Sequence, residues 1–438
     1  MAMQHTHDSK PSGPDLAGPS SPTLPGQLRA GGGLLFTVTA VYILTASGLD
    51  IFNPALPEIQ RAFGASVHQM SIMLNAYFLG FCVVSVAMGV VGDRHDKRTA
   101  ILVCLSVFTA GSLLTMLPNL AALVAGRFLQ GIGASGPVVL ALVLLLENNP
   151  ADRHTALVGK VSAVVAIATC LAPVIGAWIT TWAGWRGSFA LLLVGGLWVT
   201  WLVRAHVPAS PGNAAVRLSV TSYARLLRRD WLPGAFIVSL LRANYLAFLA
   251  FSAMYYVNEL GVSVVSMGFH LGTLALSFSL ASLVSARVGR WFGEVRSVRT
   301  SLWGTVVVSA AMLVQMLVSS PHPIAITAGM AVISALVVLP NNILYPRVLS
   351  MMPDMRGRAA ALVHALKMIF SALLVYAFAL VYHHGIAWIV AILVLAYAAA
   401  LFACELSMVA ERRWPKSTTL FPAPSPQIRT GTGNASSP

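Results

Sequence analysis

The chain has 438 residues, of which 57% are hydrophobic and only 10% charged, with a formal net charge of +14. A water-soluble globule of this size would lack the polar surface to cover so much apolar mass, so the composition points to a membrane protein. The apolar segments are long and continuous, where a transmembrane barrel would show short alternating ones, which leaves an all-α integral membrane protein.

Residues 1–32 are rich in Pro, Gly, Ser and His, with no basic stretch leading into a short apolar core, and read as a disordered cytoplasmic tail and not a signal peptide. A helix needs about 20 mostly apolar residues to cross a ~30 Å hydrocarbon layer. Windows of that length follow near 34–56, 70–92, 99–117, 119–146, 156–180, 186–205, 231–257, 265–288, 299–319, 322–349, 358–382 and 385–409, predicting 12 transmembrane helices. Residues 206–230 form the longest polar interruption and divide the windows six and six. That predicts an N-terminal six-helix bundle over 33–205, a cytoplasmic linker, and a C-terminal six-helix bundle over 231–410. Residues 411–438 repeat the polar composition of the first tail. Cys82, Cys104, Cys170 and Cys404 stand singly in predicted helices, a pattern of neither a disulfide framework nor a metal site.

With the amino terminus inside, Lys and Arg concentrate in cytoplasmic segments, and the outward loops keep only Arg61 and Arg186. This follows the positive-inside rule and predicts both termini in the cytoplasm. It also accounts for the net charge without a nucleic-acid partner.

Four basic residues fall within predicted spans: Arg127, Lys160, Arg242 and Lys367. Lys160 lies one turn inside its helix and can snorkel to the surface. Arg242 and Lys367 are roughly ten residues into theirs, which at ~1.5 Å per residue puts both near the bilayer midplane. A charge there costs at least ~2.5–3.5 kcal/mol, so these side chains should face a wet cavity or a partner. No acid of the second half reaches that depth, since Glu259 falls at the outer end of helix 7 and Glu405 near the inner end of helix 12. Asp50 is the one acid well inside a span, and Arg127 reaches a similar depth from the opposite direction, which predicts an ion pair between them. A carboxylate whose solvation changes between two conformations also changes its proton affinity, making Asp50 a candidate proton carrier.

Several stretches carry a resemblance. "DIFNPALPEI", Asp50 to Ile59, resembles the helix 1 sequence of drug:proton antiporters of the major facilitator superfamily, particularly the bicyclomycin/chloramphenicol-resistance (Bcr/CflA) branch. "GVVGDRHDKR", Gly89 to Arg98, is similar to the superfamily's loop 2–3 motif G-x-x-x-D-R-x-G-R-R, with Asp96 in place of the usual Gly and Lys97 in place of the first paired Arg. "GRFLQGIGAS" resembles the helix 4 motif and supplies Arg127, Gln130, Gly131 and Gly133. Helix 5 has Gly159, Ala168, Ala172, Pro173, Gly176 and Ala177 at the spacing of the antiporter motif G-x8-G-x3-G-P-x2-G-G, with three glycines replaced by Ala. "GWRGSF" and "LPNNILYPRV" are also similar to this branch. The resemblance spans about 34–405, with its motifs mainly in the first half; "SARVGRWFGEVRS" holds the loop 8–9 position without the acid.

The resemblance implies a rocker-switch exporter driven by inward proton flow, with the proton gradient as energy source and no cofactor or metal. Asp50 would titrate and Arg127 would be its partner. Gly89, Asp93, Arg94 and Arg98 would form the inner gate, Asp93 meeting the start of helix 11. Gly159, Ala172, Pro173 and Gly176 would carry the antiporter motif, their small side chains permitting close helix approach. Where some relatives carry a second acid two turns before the first, this chain has Tyr42, which implies a low proton stoichiometry. The expected cavity residues are Asn75, Gln130, Arg242, Asn341, Asn342, His364 and Lys367. One acid against three bases favours a neutral, zwitterionic or anionic amphiphile over a lipophilic cation: either a drug such as a phenicol-like antibiotic, or a secreted metabolite of siderophore type. The expectation is a monomeric, multi-pass protein of a bacterial inner membrane that exchanges a small molecule and protons across the lipid bilayer. A proton-coupled importer and a non-transporting receptor of the same fold are the alternatives. An enzyme is disfavoured, because the sequence has no nucleophile motif, metal-ligand spacing or His/Asp cluster.

Overall fold

The structure is a computed structural model that describes residues 27–209, 223, 226, 228, 230–352, 355–413 and 420; the side chains at 27–31, 89–90, 92–93, 151, 155 and 411–413 fall outside that description. The described elements are helical: α1 (Gln27–Asp50), a 3-10 turn (Asn53–Ala55), α2 (Leu56–Phe63), α3 (Val67–Arg94), α4 (Lys97–Leu114), α5 (Leu120–Glu147), α6 (His154–His206), α7 (Leu232–Asn258), α8 (Val264–Phe292), α9 (Glu294–Val318), α10 (Pro323–Ser350), α11 (Arg356–Val381) and α12 (Ile386–Arg413), with further 3-10 turns at Ala151–Arg153 and Tyr382–His384. Among the described residues, 11 helices are long and apolar enough to cross a membrane.

Three predicted spans depart from simple rods. The window 34–56 begins earlier, at Gln27, so the last residues of the predicted tail are helical, and the first helix stops at Asp50. Pro54 and Pro57 follow at once; each lacks a backbone N–H and clashes with the preceding turn, so the chain bends through Asn53–Ala55 and restarts as α2. The windows 156–180 and 186–205 are joined in α6. Its apolar stretch of 51 residues would reach about 76 Å at ~1.5 Å per residue, over twice the hydrocarbon thickness. The backbone leaves helical geometry once within it, at Gly184 (φ 66°, ψ −176°), a left-handed position that favours glycine.

Helix starts follow their capping residues. Ser66 and Gln69 form a reciprocal capping box at α3, and Asn119 accepts from two backbone amides at α5. Asp96, the departure from the loop 2–3 motif, caps α4 by accepting from the Thr99 amide at 3.0 Å and the Thr99 hydroxyl at 2.6 Å. The helix 4 glycines set the packing of the first bundle. A Cβ at Gly131 would strike the Tyr77 carbonyl, one at Gly80 the Phe128 carbonyl, and one at Gly133 the Phe108 backbone, so α5 closes directly on α3 and α4.

Helices α1–α6 and α7–α12 make two bundles that meet where α3 packs on α11 and α6 on α8. One end of the molecule gathers the start of α1 and the end of α6, where Gly33 lies against His206. The same end holds a Lys97–Glu147 ion pair at 3.0 Å and the Arg98 guanidinium donating to the Arg204 carbonyl at 2.7 Å. In the linker, the Tyr223 hydroxyl donates to the Val86 carbonyl at 2.7 Å. From the carboxyl-terminal region, Leu420 is buried and accepts from Arg347 at 2.9 Å. At the opposite end, Asn258 on α7 donates to Gln60 on α2 at 2.8 Å, and the His68 and Tyr376 rings meet edge-on at 5.6 Å between α3 and α11. Large apolar side chains stand outward along the helices, among them Val83, Val194, Leu283 and Phe402. Such a surface is stable against hydrocarbon and not against water, which makes this a multi-pass membrane protein.

Candidate functional site

Asp50 ends α1 beside a cavity of about 360 Å³ enclosed between the bundles. The cavity is lined by Tyr42 and Asp50 on α1, by Ser162 and Thr169 on α6, and from the second bundle by Arg242, Tyr245, Phe278 and Ser279. It continues along α6 as far as Val158 and along α8 as far as Ser282, toward the end that holds the start of α1 and the end of α6. At the opposite end the α2–α7 and α3–α11 contacts close the molecule.

Asp50 on α1 and Arg242 on α7 face this cavity from different bundles. Among the described residues, the Asp50 carboxylate has neither a salt bridge nor a hydrogen bond. The Arg242 guanidinium lies 4.2 Å from the Phe278 ring centre and 5.2 Å from that of Tyr245, and its buried Nη1 has no hydrogen-bond acceptor. Aromatic faces attract the cation without consuming its hydrogen-bonding capacity, leaving its donors for another group.

The expected Asp50–Arg127 ion pair is absent from this structure. Arg127 is fully buried on α5, donating from Nη1 to the Gly48 carbonyl at 3.0 Å and to Gln130 Oε1 at 2.8 Å. Its guanidinium lies 3.9 Å from the Phe52 ring centre and 4.5 Å from that of Tyr77. Gln130 does not reach the cavity: its Nε2 donates to Ser112 at 2.9 Å, completing a chain of buried polar contacts inside the first bundle. The physical reason is the glycine-set packing of α5, which turns this helix face toward α3 and α4.

None of the other expected cavity residues, Asn75, Asn341, Asn342, His364 and Lys367, lines this cavity. Asn341 donates to the Val238 carbonyl at 3.3 Å and Asn342 to Ser282 and Ser285 at 2.9 and 3.0 Å, so both brace α10 against its neighbours and neither lines the cavity. Asn75 sits on α3 outside the lining, with a buried Oδ1 that has no donor. Lys367 and His364 form a pair on α11, Nζ to Nδ1 at 2.9 Å, next to the rings of Phe81 and Tyr345.

On α6, Gly176 abuts the Ile51 carbonyl, one residue beyond Asp50, and Gly268 of α8 packs against Pro173 and Ala177. Ala172 is buried, whereas Gly159 has open space around it. The antiporter-like motif therefore contacts both the Asp50 end of α1 and the second bundle. Of the expected gate, Gly89 and Asp93 lie on the α3 backbone with side chains outside the described residues, Arg94 is exposed at its end, and Arg98 binds Arg204 within its own bundle. Sequence reasoning left Tyr245 and Phe278 out of the site. Tyr245 follows Arg242 by three residues and so shares its helix face, a legible signal; Phe278, on α8, had none.

A larger groove of about 990 Å³ runs between α1 and α6 within the first bundle, mostly apolar, with Thr39, Ser47 and Lys160 as its polar lining. Its position on one bundle and its apolar walls set it apart from the site between the bundles.

The sequence matches the Major Facilitator Superfamily over residues 38–375. It is 25% identical over 302 residues to the uncharacterized MFS-type transporter YdgK of Bacillus subtilis, covering 66% of this chain and 74% of that one. It is 32% identical over 235 residues to the uncharacterized MFS-type transporter Rv1877 of Mycobacterium tuberculosis, covering 49% of this chain and 34% of the relative. Against the multidrug resistance protein MdtL of Klebsiella pneumoniae it is 26% identical over 254 residues, covering 57% of this chain and 63% of the other. The chain thus spans less than two thirds of the length of the latter two. Among solved structures, a D-xylose-proton symporter superposes with a TM-score of 0.66 at 16% identity, covering 85% of this chain and 96% of the other. The nucleoside transporter NupG superposes with a TM-score of 0.67 at 13% identity, covering 85% and 99%. Those two likenesses establish the major facilitator fold.

Proposed function

We propose that this chain, which belongs to the Major Facilitator Superfamily and is a membrane transporter, is a proton-coupled exporter of small amphipathic molecules, close in type to the Bcr/CflA drug antiporters. In this reading the break at Gly184 divides α6 into two spans and the chain crosses a bacterial inner membrane twelve times, and the positive-inside pattern of Lys and Arg supports a cytoplasmic side for both termini. In that orientation the cavity reaches toward the cytoplasm and is sealed outside, the inward-facing state of a rocker switch. Asp50 takes a proton from outside and gives it up inside, while the cargo travels the other way. The chain works as a monomer on the proton gradient, with no cofactor.

One observation carries this reading: the single acid deep in the membrane stands in a cavity shared by both bundles, opposite an arginine of the other bundle. A rocking motion changes the separation and solvation of those charges, and with them the proton affinity of the acid. The kinship to MdtL supports export and a drug-like cargo; a secreted metabolite of siderophore type is the alternative cargo.

The test is accumulation of a compound panel, antibiotics and siderophores together, in inside-out vesicles with and without an imposed proton gradient. Gradient-dependent uptake into inside-out vesicles is the expected result. Uptake only into right-side-out vesicles would replace the exporter with an importer, and binding without flux in either would leave a receptor.

A further inference from the structure

We propose that the cargo is a zwitterion held as a bridge across the cavity, its cationic amine on Asp50 and its anionic group on Arg242; this rests on the exporter reading above and names its substrate class. Opposite charges from two bundles line one cavity, yet they form no salt bridge with each other. Each also retains hydrogen-bonding capacity that the described residues leave unmet. Leaving buried charges apart is costly, so an arrangement that keeps them apart suits a ligand carrying the complementary pair. The Phe278 and Tyr245 faces beside the guanidinium offer an apolar body a seat without competing for the guanidinium N–H groups. The cavity volume of about 360 Å³ lies at the small end of the ~300–1,000 Å³ range of ligand pockets, which limits the bridge to a compact molecule.

The charge logic also selects the class. A purely anionic cargo on Arg242 would favour the protonated form of Asp50, so that proton and cargo bind together, the opposite of exchange. A purely cationic cargo would leave Arg242 unmatched and repelled. A zwitterion meets Arg242 with its acid group, while its amine and the proton compete for Asp50, which is the competition that exchange requires. The titratable groups around the acid are Tyr42 on its own helix, Tyr77 on α3, Arg127 on α5, Cys170 on α6, and Arg242 with Tyr245 on α7. None of the others is an acid of the carboxylate class, so the competition falls on Asp50.

The experiment uses the purified full chain in detergent and two aromatic scaffolds, L-phenylalanine and L-phenylalanyl-L-phenylalanine, each as the free zwitterion, the methyl ester and the N-acetyl derivative. The zwitterion should bind more tightly than either single-charge form by about tenfold, the factor for losing one charge-assisted contact. It should also release protons on binding. Arg242→Gln should erase the preference over the ester, Asp50→Asn the preference over the N-acetyl form, and Arg242→Lys should retain part of the former. If Arg242→Gln fails to fold, the rank order in the wild-type chain still decides. Equal or tighter binding of a single-charge form, or no binding of any member, overturns the proposal. Zwitterion binding without gradient-driven flux leaves this inference standing and removes the exporter reading.

Discussion

Arg127 holds the segment around Asp50 without pairing with its carboxylate. It donates to the Gly48 carbonyl at 3.0 Å and lies 3.9 Å from the Phe52 ring centre, gripping the chain two residues to either side of the acid. The positive charge thus positions the end of α1, and the carboxylate is left facing the cavity.

Arg127→Ala is therefore expected to act on stability first. It strands the Gly48 carbonyl and Gln130 Oε1 in a buried site, at a cost of about 1–3 kcal/mol. Thermal unfolding in detergent should show a lower Tm for Arg127→Ala and an unchanged one for Asp50→Asn; a wild-type Tm for the arginine variant would contradict this role.

Gly176 and Gly159 belong to one motif but should respond oppositely to Ala. A Cβ at Gly176 meets the Ile51 carbonyl and must push the Asp50 end of α1 aside, while the space at Gly159 is open. Gly176→Ala should cost about 1–3 kcal/mol and slow transport, as overpacking does. Gly159→Ala should be neutral in Tm and flux. Equal effects would mean that the close approach of α6 to α1 has no functional weight.

Asp96 and Asp93 separate a cap from a gate. Asp96→Ala loses the α4 cap and should cost about 1 kcal/mol without altering the balance of conformations. Asp93→Ala, by removing an anion expected at the start of α11, should shift a two-state ratio about five- to thirtyfold toward the inward-facing form if it costs ~1–2 kcal/mol. Cysteine cross-linking across the cytoplasmic ends of the bundles, in a background without the four native cysteines, checks both; unchanged cross-linking and flux in Asp93→Ala would leave the loop without a gating role.

Lys367→Ala should change the range of compounds moved more than the amount of folded protein. The ammonium sits 2.9 Å from His364 beside the interface between α3 and α11, with no acid to balance it in a salt bridge among the described residues. Transport of every tested compound at wild-type rates would make the residue dispensable.

How far the sequence reached depended on the direction being asked about. Depth along the membrane normal follows from counting residues at a fixed rise, and that put Asp50 well inside a span and Arg242 near the midplane; the cavity they share is visible only in the structure. Azimuth does not follow from counting. Arg127 lies at a suitable height but faces inward, because Gly131 and Gly133 let α5 close on its neighbours, and Asn341 and Asn342 donate instead to partners on α7 and α8. The bend after Asp50 was written in Pro54 and Pro57, yet hydropathy alone runs through it. The windows 156–180 and 186–205 leave a gap at 181–185, and Gly184, the residue of α6 with non-helical geometry, falls inside it.

The most direct measurement compares Asp50→Asn with the wild type in inside-out vesicles, following cargo uptake under an imposed pH gradient together with cargo exchange at equilibrium without one. Loss of gradient-driven uptake with equilibrium exchange persisting at saturating cargo is the expected result, because the amide keeps the shape of the site, weakens cargo binding and removes its proton. Gradient-driven uptake at the wild-type rate in Asp50→Asn would contradict the assignment of Asp50 as the coupling acid.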